Sequence, residues 1–109
     1  MANDPKLEYL RSAYHAAFSA LAEEVRTWIA VRPLAGDGAK LAEARVRAAE
    51  IVYRGRRDAF AALLIRREVE RRAYRLWEQS GRPHGTADGD WYHAETLIPG
   101  SRSLLRRVA

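Results

Sequence analysis

Four side chains able to bind a metal ion lie within one ten-residue stretch near the C-terminal end of the chain: His84, Asp88, Asp90 and His93. Asp90 and His93 are three residues apart, so a helix would present them on one face. Structural zinc sites, however, combine Cys and His at recurrent spacings, and the chain has no cysteine. We therefore interpret these residues as helix caps and solvated loop side chains, and we predict neither a metal nor another cofactor.

A nucleophile and a base occur together on the first predicted helix, where His15 and Ser19 lie one turn apart. Nucleophilic catalysis also uses a third group to orient the base, and the sequence suggests no carboxylate beside this pair. Gly36 and Gly38 flank a single aspartate between two helices, and they do not form the longer glycine-rich loop that cradles a phosphate. We predict no catalytic residues and no enzymatic activity.

Arginine supplies most of the positive charge. Lys and Arg total 19 against 14 Asp and Glu, which gives a formal net charge of +5, and 17 of the basic residues are arginine. Arg67, Arg71 and Arg75 recur every four residues, so they lie along one helix face that can follow a phosphate backbone. Glu68 lies four residues before Arg72, however, and ordinary ion pairing on a helix surface explains the same composition. Nucleic-acid binding through this Arg-rich face is therefore the alternative function, behind protein–protein interaction.

The first of two long helices is predicted over residues 5–31. Asp4 is the predicted N-cap, and Pro5 occupies the first helical position. The helix ends at Arg32, because Pro33 disfavours the helical conformation in the residue before it. Apolar residues recur within it at steps of three and four, as in a helix that packs along a narrow seam. The residues predicted to form this seam are Leu7, Leu10, Tyr14, Phe18, Leu21, Val25 and Trp28.

The second long helix is predicted from residue 39 to about residue 80, antiparallel to the first. The connecting segment 33–38 contains proline and two glycines, and Asp37 is the predicted N-cap of the helix that follows. Gly55 falls on the predicted seam, where we expect close contact with a large residue of the first helix near Tyr14 to Phe18. The predicted seam residues of the second helix are Leu41, Ala44, Ala48, Val52, Gly55, Ala59 and Leu63.

The segment 59–65 is apolar on every side of the predicted helix. A helical segment of this kind is buried on more than one side, either by another part of the chain or by a second copy. We expect a two-fold symmetric homodimer with Phe60 and Leu64 near its centre. The predicted interface residues on this helix are Phe60, Leu64, Arg67, Arg71 and Arg75.

A short third helix is predicted over residues 88–98 and is joined to the second by a loop rich in Gly and Pro. Gly81 supplies the left-handed conformation that ends many helices, and Asp88 is the predicted N-cap of the third. We expect Trp77 and Trp91 to pack across the loop over Pro83, each indole burying apolar area and keeping an N–H for a partner. The structural motif predicted here comprises Tyr74, Trp77, Gly81, Arg82, Pro83, Gly85 and Trp91.

The same stretch resembles a small bacterial domain family of unknown function with the signature RAYxLWExxGRPxG…W..AE. The resemblance covers about residues 65–98 and includes Trp77, Gly81 and Trp91. The chain departs from the family at Asp90, where a histidine usually precedes the tryptophan. The resemblance implies a compact helical module in the bacterial cytoplasm, and it implies no activity.

The chain is thus predicted to contain a helical hairpin (1–64), a helix-loop-helix module continuous with it (65–98) and a basic tail (99–109). We expect the tail to be frayed, and its apolar and basic residues allow a short amphipathic turn on binding as the alternative. The N-terminal residues show no basic segment leading into an apolar run, so we expect no signal peptide and a cytoplasmic location. The longest apolar run is far too short to cross a membrane. Together these observations favour a non-enzymatic interaction, assembly or regulatory protein that binds another protein or itself.

Overall fold

The computed structural model describes residues 4–108, and over this range the chain forms helices joined by turns, with no strand. The predicted all-α fold, with a long helical hairpin and a short C-terminal helix, is confirmed. Residues 1–3, on which the expected lack of a signal peptide partly depends, and residue 109 of the predicted tail lie outside the described residues. The helices are α1 (Pro5–Val31), a short 3-10 helix (Arg32–Leu34), α2 (Gly36–Gln79), α3 (Ala87–Thr96) and α4 (Ser101–Val108).

The chain divides into two compact units, an N-terminal unit that ends at Phe60 and a C-terminal unit that begins at Ala61. The N-terminal unit contains α1 and the first part of α2, and the C-terminal unit contains the rest of α2 with α3 and α4. None of the four helices described combines the length and the hydropathy that crossing a membrane requires.

The start of α1 follows from the two residues predicted to set it. The Asp4 carboxylate accepts hydrogen bonds from the backbone N–H groups of Lys6 and Leu7, each at 3.1 Å. Two of the N–H groups that have no partner within a helix are thereby satisfied, and Pro5 stands in the first turn, where its missing N–H costs nothing.

The connection between α1 and α2 is shorter than predicted. Ala35 and Gly36 both have left-handed backbone conformations, with φ of 54° and 81°, and they reverse the chain at once. Helix α2 therefore begins at Gly36, before the predicted residue 39, and Asp37 lies in its first turn instead of at the N-cap. Its carboxylate there still interacts favourably with the helix dipole.

Aromatic contacts hold α1 against the first part of α2. The ring of Tyr14 lies 5.7 Å from that of Tyr53 and stacks on Phe60 at 5.8 Å, while Phe18 lies 6.0 Å from Tyr53. The later residue of α1 contacts the earlier residue of α2, so the two helices are antiparallel, as predicted.

The predicted seam of α2 is wrong between residues 41 and 55, because the predicted residues are exposed and a different face of the helix packs against α1. Leu41 and Val52 are 54% and 51% exposed, and a Cβ atom on Gly55 would meet open space, so the expected close contact at Gly55 is absent. This part of α2 has apolar residues on two faces, and the face that carries the two aromatic rings buries more area against α1. The buried and half-buried residues of that face are Ala42, Val46, Ala49, Tyr53 and Phe60.

Helix α2 continues without interruption to Gln79 and ends as predicted at a left-handed glycine. Gly81 has φ of 85°; its N–H donates to the carbonyl of Glu78 at 3.1 Å, and the N–H of Arg82 donates to the carbonyl of Trp77 at 3.0 Å. This pair of bonds defines the Schellman motif, which satisfies the last carbonyl groups of a helix and turns the chain sharply.

The N-cap of α3 lies two residues before the predicted N-cap, and the helix begins at Ala87. Thr86 occupies the N-cap position, so the assignment of Asp88 as the cap is wrong, and Asp88 lies in the first turn with Asp90. The left-handed backbone of Gly85, with φ of 79°, reverses the chain early enough for α3 to start at Ala87. The helix ends at Thr96, two residues before the predicted end.

The predicted frayed tail is wrong, because residues 101–108 form α4. Ser101 is fully buried and its hydroxyl donates a hydrogen bond to the carbonyl of Glu95 at 3.0 Å, near the end of α3. Leu104, one turn later, is also buried. Burial of this apolar side and the hydrogen bond to a carbonyl in the last turn of α3 fix the segment that we expected to fray.

The core of the C-terminal unit lies between α2, α3 and α4. Val69 of α2 and Ala94 of α3 are fully buried, and Leu104 of α4 is 8% exposed. The Arg72 guanidinium of α2 donates to the carbonyl of Leu97 after α3 at 3.3 Å, which ties the two helices together at their polar edge. This core positions the surfaces described next.

Two candidate binding grooves in the C-terminal unit

An aromatic groove of about 510 Å³ lies between the end of α2, the loop after it and the start of α3. Its volume is within the usual range for sites that bind small ligands or single side chains of a partner. We call it the aromatic groove. Its lining residues are Glu70, Ala73, Tyr74, Trp77, Pro83, His84, Gly85, Thr86, Ala87, Asp90 and Trp91.

Trp77 is fixed in the wall of the aromatic groove by three contacts. Its indole N–H donates a hydrogen bond to the carbonyl of Pro83 at 2.9 Å. The ring of Tyr74 lies 5.6 Å away, and the guanidinium of Arg82 lies 5.6 Å from the ring centroid while it pairs with Glu78 at 3.1 Å. The indole ring is thus held in one orientation, and it already accepts a cation on its π surface.

The two tryptophans, which we predicted to pack over Pro83, form walls of one groove. Trp77 and Trp91 are only half-buried, and both line the aromatic groove together with Pro83. The expected hydrogen-bond partner for an indole N–H is present at Trp77. Complete burial is found instead at Val69 and Ala94.

Acidic groups lie among the aromatic rings. Asp90 accepts a hydrogen bond from the hydroxyl of Thr86 at 3.0 Å, and Glu70 lies in the opposite wall on α2. Aromatic faces beside carboxylates attract a cation through both the ring quadrupole and direct charge. The chemistry of the groove therefore suits a basic side chain or another organic cation.

A second cavity, of about 540 Å³, is formed by α2, α3 and α4. Three arginines line this cavity, one from α2 and two from α4. Trp91 lines both this cavity and the aromatic groove and so forms the wall between them. We call it the basic groove. Its lining residues are Arg66, Trp91, Tyr92, Glu95, Arg102, Leu105 and Arg106.

The arginines of the basic groove differ from most of the others in their ion pairing. Along α1 and α2, several arginines pair with an acid one turn away, as Arg47 does with Glu43 at 2.7 Å. Across residues 4–108, by contrast, no salt bridge is formed by Arg66, Arg102 or Arg106. Their charges are therefore free to meet an anion from solution.

The predicted Arg-rich face is partly engaged in contacts on its own helix. Glu68 pairs with Arg71 and with Arg72, each at 3.1 Å. The hydrogen bond from Arg72, with the positive charges of Arg71, Arg72 and Arg75, holds the pKa of the Glu68 carboxyl below its usual value. Arg67 is half-buried, and Arg75 is exposed.

The two apolar residues predicted for a dimer interface have different environments. Phe60 stacks on Tyr14 within the same N-terminal unit. Leu64, in the C-terminal unit, is 44% exposed.

The candidate metal ligands are not assembled into a site. His84 and Asp90 line the aromatic groove, but Asp90 is hydrogen-bonded to Thr86. Within the part of the chain that the structure describes, no group of three or more His, Cys, Asp or Glu side chains is placed to hold a metal.

The sequence interpretation missed the basic groove. Arg102 and Arg106 are one turn apart, and Leu104 and Val108 recur at the same spacing, which together form an amphipathic pattern. That pattern was the available signal, but the segment was interpreted as a tail. Nothing in the local sequence around Arg66 indicates that it meets α4.

Comparison with known proteins adds one match. A family model described as Protein of unknown function (DUF2934) matches residues 66–99, which contain all of the aromatic groove and only part of the basic groove. The chain is similar to that family over this segment, in line with the resemblance to a small domain of unknown function. No curated protein and no solved structure matches the chain.

Proposed function

We propose that this chain is a non-enzymatic interaction protein and that its aromatic groove binds a segment of another protein by taking in a lysine or arginine side chain. The observation that carries this proposal is the grouping of Trp77, Trp91 and Tyr74 with the carboxylates of Glu70 and Asp90 around one cavity. Aromatic rings accept the apolar stem and the positive head of such a side chain, and the carboxylates favour its charge.

The aromatic groove is preformed in the unbound chain, and this supports a role in binding. The Schellman motif at Gly81 and the bond from Trp77 to Pro83 fix the loop that forms one wall. Preorganisation of this kind lowers the entropy cost of association, because the aromatic side chains have little freedom left to lose.

Nucleic-acid binding through Arg67, Arg71 and Arg75 is less well supported. Arg71 is engaged with Glu68, and Arg67 is half-buried. A phosphate backbone would have to compete with an existing ion pair for part of this row.

Self-association is the second part of the proposal, and the exposed face of α2 supports it better than Phe60 does. Ile51 is 73% exposed, and beside it a surface notch of about 340 Å³ is open at Gly55. Two antiparallel copies of α2, related by a two-fold axis between these residues, would place Ile51 of each copy over Gly55 of the other. Such a surface is complementary to itself.

The cation preference of the aromatic groove can be tested with four blocked pentapeptides that differ only in the central residue: arginine, lysine, glutamine or glutamate. Trp28→Phe/Trp91→Phe protein is used, so that only Trp77, which lines the aromatic groove and not the basic groove, reports by fluorescence. We expect saturable changes with the arginine and lysine peptides, and none with the glutamate peptide. Equal binding of all four would contradict the proposal.

Glu70→Gln provides the matched test of charge, because Glu70 is exposed and its loss does not disturb the core. We expect the preference for arginine over glutamine to fall about two- to fivefold, as for an exposed ion pair. Glu43→Gln, which removes an equal charge from the N-terminal unit, should leave the preference unchanged.

A further inference from the structure

The basic groove has the composition of a site for a phosphate attached to an aromatic ring. Guanidinium groups recognise phosphate oxygens with paired N–H donors, and three of them line this cavity. Arg102 and Arg106 lie one turn apart on α4, and Arg66 comes from α2, so the donors approach from two sides.

Convergence of three positive charges without salt-bridge partners is unfavourable by itself, because like charges repel. Several other arginines of the chain are paired with an acid one turn away, for example Arg82 with Glu78 at 3.1 Å. In the basic groove the acid is Glu95, which is only 9% exposed and lies in the wall. One carboxylate leaves a net positive cavity, and a bound anion would neutralise the remainder.

The aromatic residues of the basic groove distinguish a nucleotide from a simple anion. Trp91 and Tyr92 lie in the same wall, and Tyr92 is 59% exposed, so its ring is accessible from solution. Nucleobases stack on such rings and on guanidinium planes. The Glu95 carboxylate is an acceptor for the N–H or hydroxyl donors of a base or sugar.

From these observations we infer that the basic groove binds one nucleotide unit, with its phosphate against Arg66, Arg102 and Arg106 and its base against Tyr92. The unit can come from a free nucleotide or from single-stranded nucleic acid, since both present the same phosphate and base. This site is separate from the aromatic groove, and its occupancy does not depend on the protein partner proposed above.

The test uses the full chain, a fluorescently labelled single-stranded oligouridylate of ten nucleotides, and free uridine monophosphate as competitor. We expect the wild type to bind the oligonucleotide with a salt dependence that reflects one neutralised phosphate. Its affinity should then fall about two- to threefold between 50 and 200 mM salt, given a logarithmic slope of about −0.7.

The decisive comparison is between two triple variants that remove the same charge. Arg66→Gln/Arg102→Gln/Arg106→Gln should lose most of the binding and most of the salt dependence. The control, Arg45→Gln/Arg56→Gln/Arg75→Gln, removes three exposed arginines that also form no salt bridge among the described residues. An equal loss in both variants would overturn the inference, because general positive charge would then account for binding.

Tyr92→Ala tests the stacking contact at a position too exposed to be needed for folding. We expect the affinity for the oligonucleotide to fall about fivefold or more. An unchanged affinity, or failure of the wild type to bind either probe, would overturn the assignment of a nucleotide. Tighter binding of the oligonucleotide than of the monophosphate assigns the site to a strand, and equal binding assigns it to free nucleotides.

Discussion

Gly81 is the residue whose backbone conformation most directly sets the shape of the aromatic groove. Its φ of 85° is strained for any residue with a Cβ atom, and most of all for a β-branched one. Gly81→Val should therefore lower the free energy of unfolding by about 1–2 kcal/mol, and Gly81→Asn by less. Chemical denaturation measures both.

Gly89→Ala is the matched control for Gly81→Val. Gly89 lies inside α3, and a Cβ atom there meets open space. The substitution should raise stability by about 0.5–1 kcal/mol, since alanine favours a helix over glycine. Equal stability of Gly81→Val and the wild type would show that α2 does not end at a left-handed residue 81.

Glu68 gives a prediction that depends on pH. Its pKa is lowered in the folded chain, chiefly by the hydrogen bond from Arg72, and burial opposes this effect only partly. A lowered pKa stabilises the folded state at pH values above the unfolded-state pKa, and the contribution disappears as the pH falls through the folded-state pKa. The stability difference between wild type and Glu68→Gln should thus be full at neutral pH and should shrink as the pH falls below about 4.3, the usual pKa of a glutamate, and on through the lowered folded-state pKa.

Denaturation at a series of pH values provides this measurement, with Glu70→Gln as the control on the same helix. A difference between wild type and Glu68→Gln that stays constant with pH would contradict the ion pairing at Glu68.

Among the elements, α4 is the one whose role is most clearly testable. Leu104 is buried and Leu97 is 46% exposed. The same substitution at both positions therefore distinguishes the loss of buried packing from the loss of a leucine side chain as such. Leu104→Ala should cost about 2 kcal/mol or more, and Leu97→Ala much less. Amide hydrogen exchange should become faster in α3 and α4 of the Leu104→Ala protein. Unchanged exchange there would mean that α4 does not hold this unit together.

Element boundaries were predictable from the sequence where local chemistry decides them. The Asp4 cap and the end of α2 at Gly81 each depend on a few neighbouring residues. The face of α2 was not predictable, because alanine-rich apolar rows occur on two sides and only the contacts of Tyr53 and Phe60 with α1 select one. The start of α3 was misplaced because aspartate is also a favourable N-cap residue. The left-handed turn at Gly85 places Thr86 at the N-cap instead of Asp88.

The grooves were less predictable than the helices. The aromatic groove lies within a stretch of about twenty residues, so its tryptophans could be recognised from the sequence, although not that they line an open groove. The basic groove joins Arg66 to Arg102 and Arg106, which are far apart in the sequence. Its existence depends on how α4 packs, and no local pattern specifies that.

For the whole molecule, self-association should be measurable as mass in solution. We expect light scattering to give the mass of two chains, and Ile51→Asp to give one, because a charge would replace the apolar residue over Gly55 of the second copy. Leu34→Asp, at a position that is 79% exposed in the turn, should leave the dimer intact. A single-chain mass for the wild type at protein concentrations up to about 1 mM would end this part of the proposal.

The central claim is that the aromatic groove receives a basic side chain from a partner, and the indole N–H resonances of the three tryptophans test it most directly. Titration of the isotopically labelled wild-type chain with the arginine pentapeptide should shift the signals of Trp77 and Trp91, which line the groove. The signal of Trp28 in α1 should stay in place, and the glutamate peptide should leave the signal of Trp77, which lines only the aromatic groove, in place as well. Shifts confined to Trp28, or equal responses to the arginine and glutamate peptides, would contradict the account.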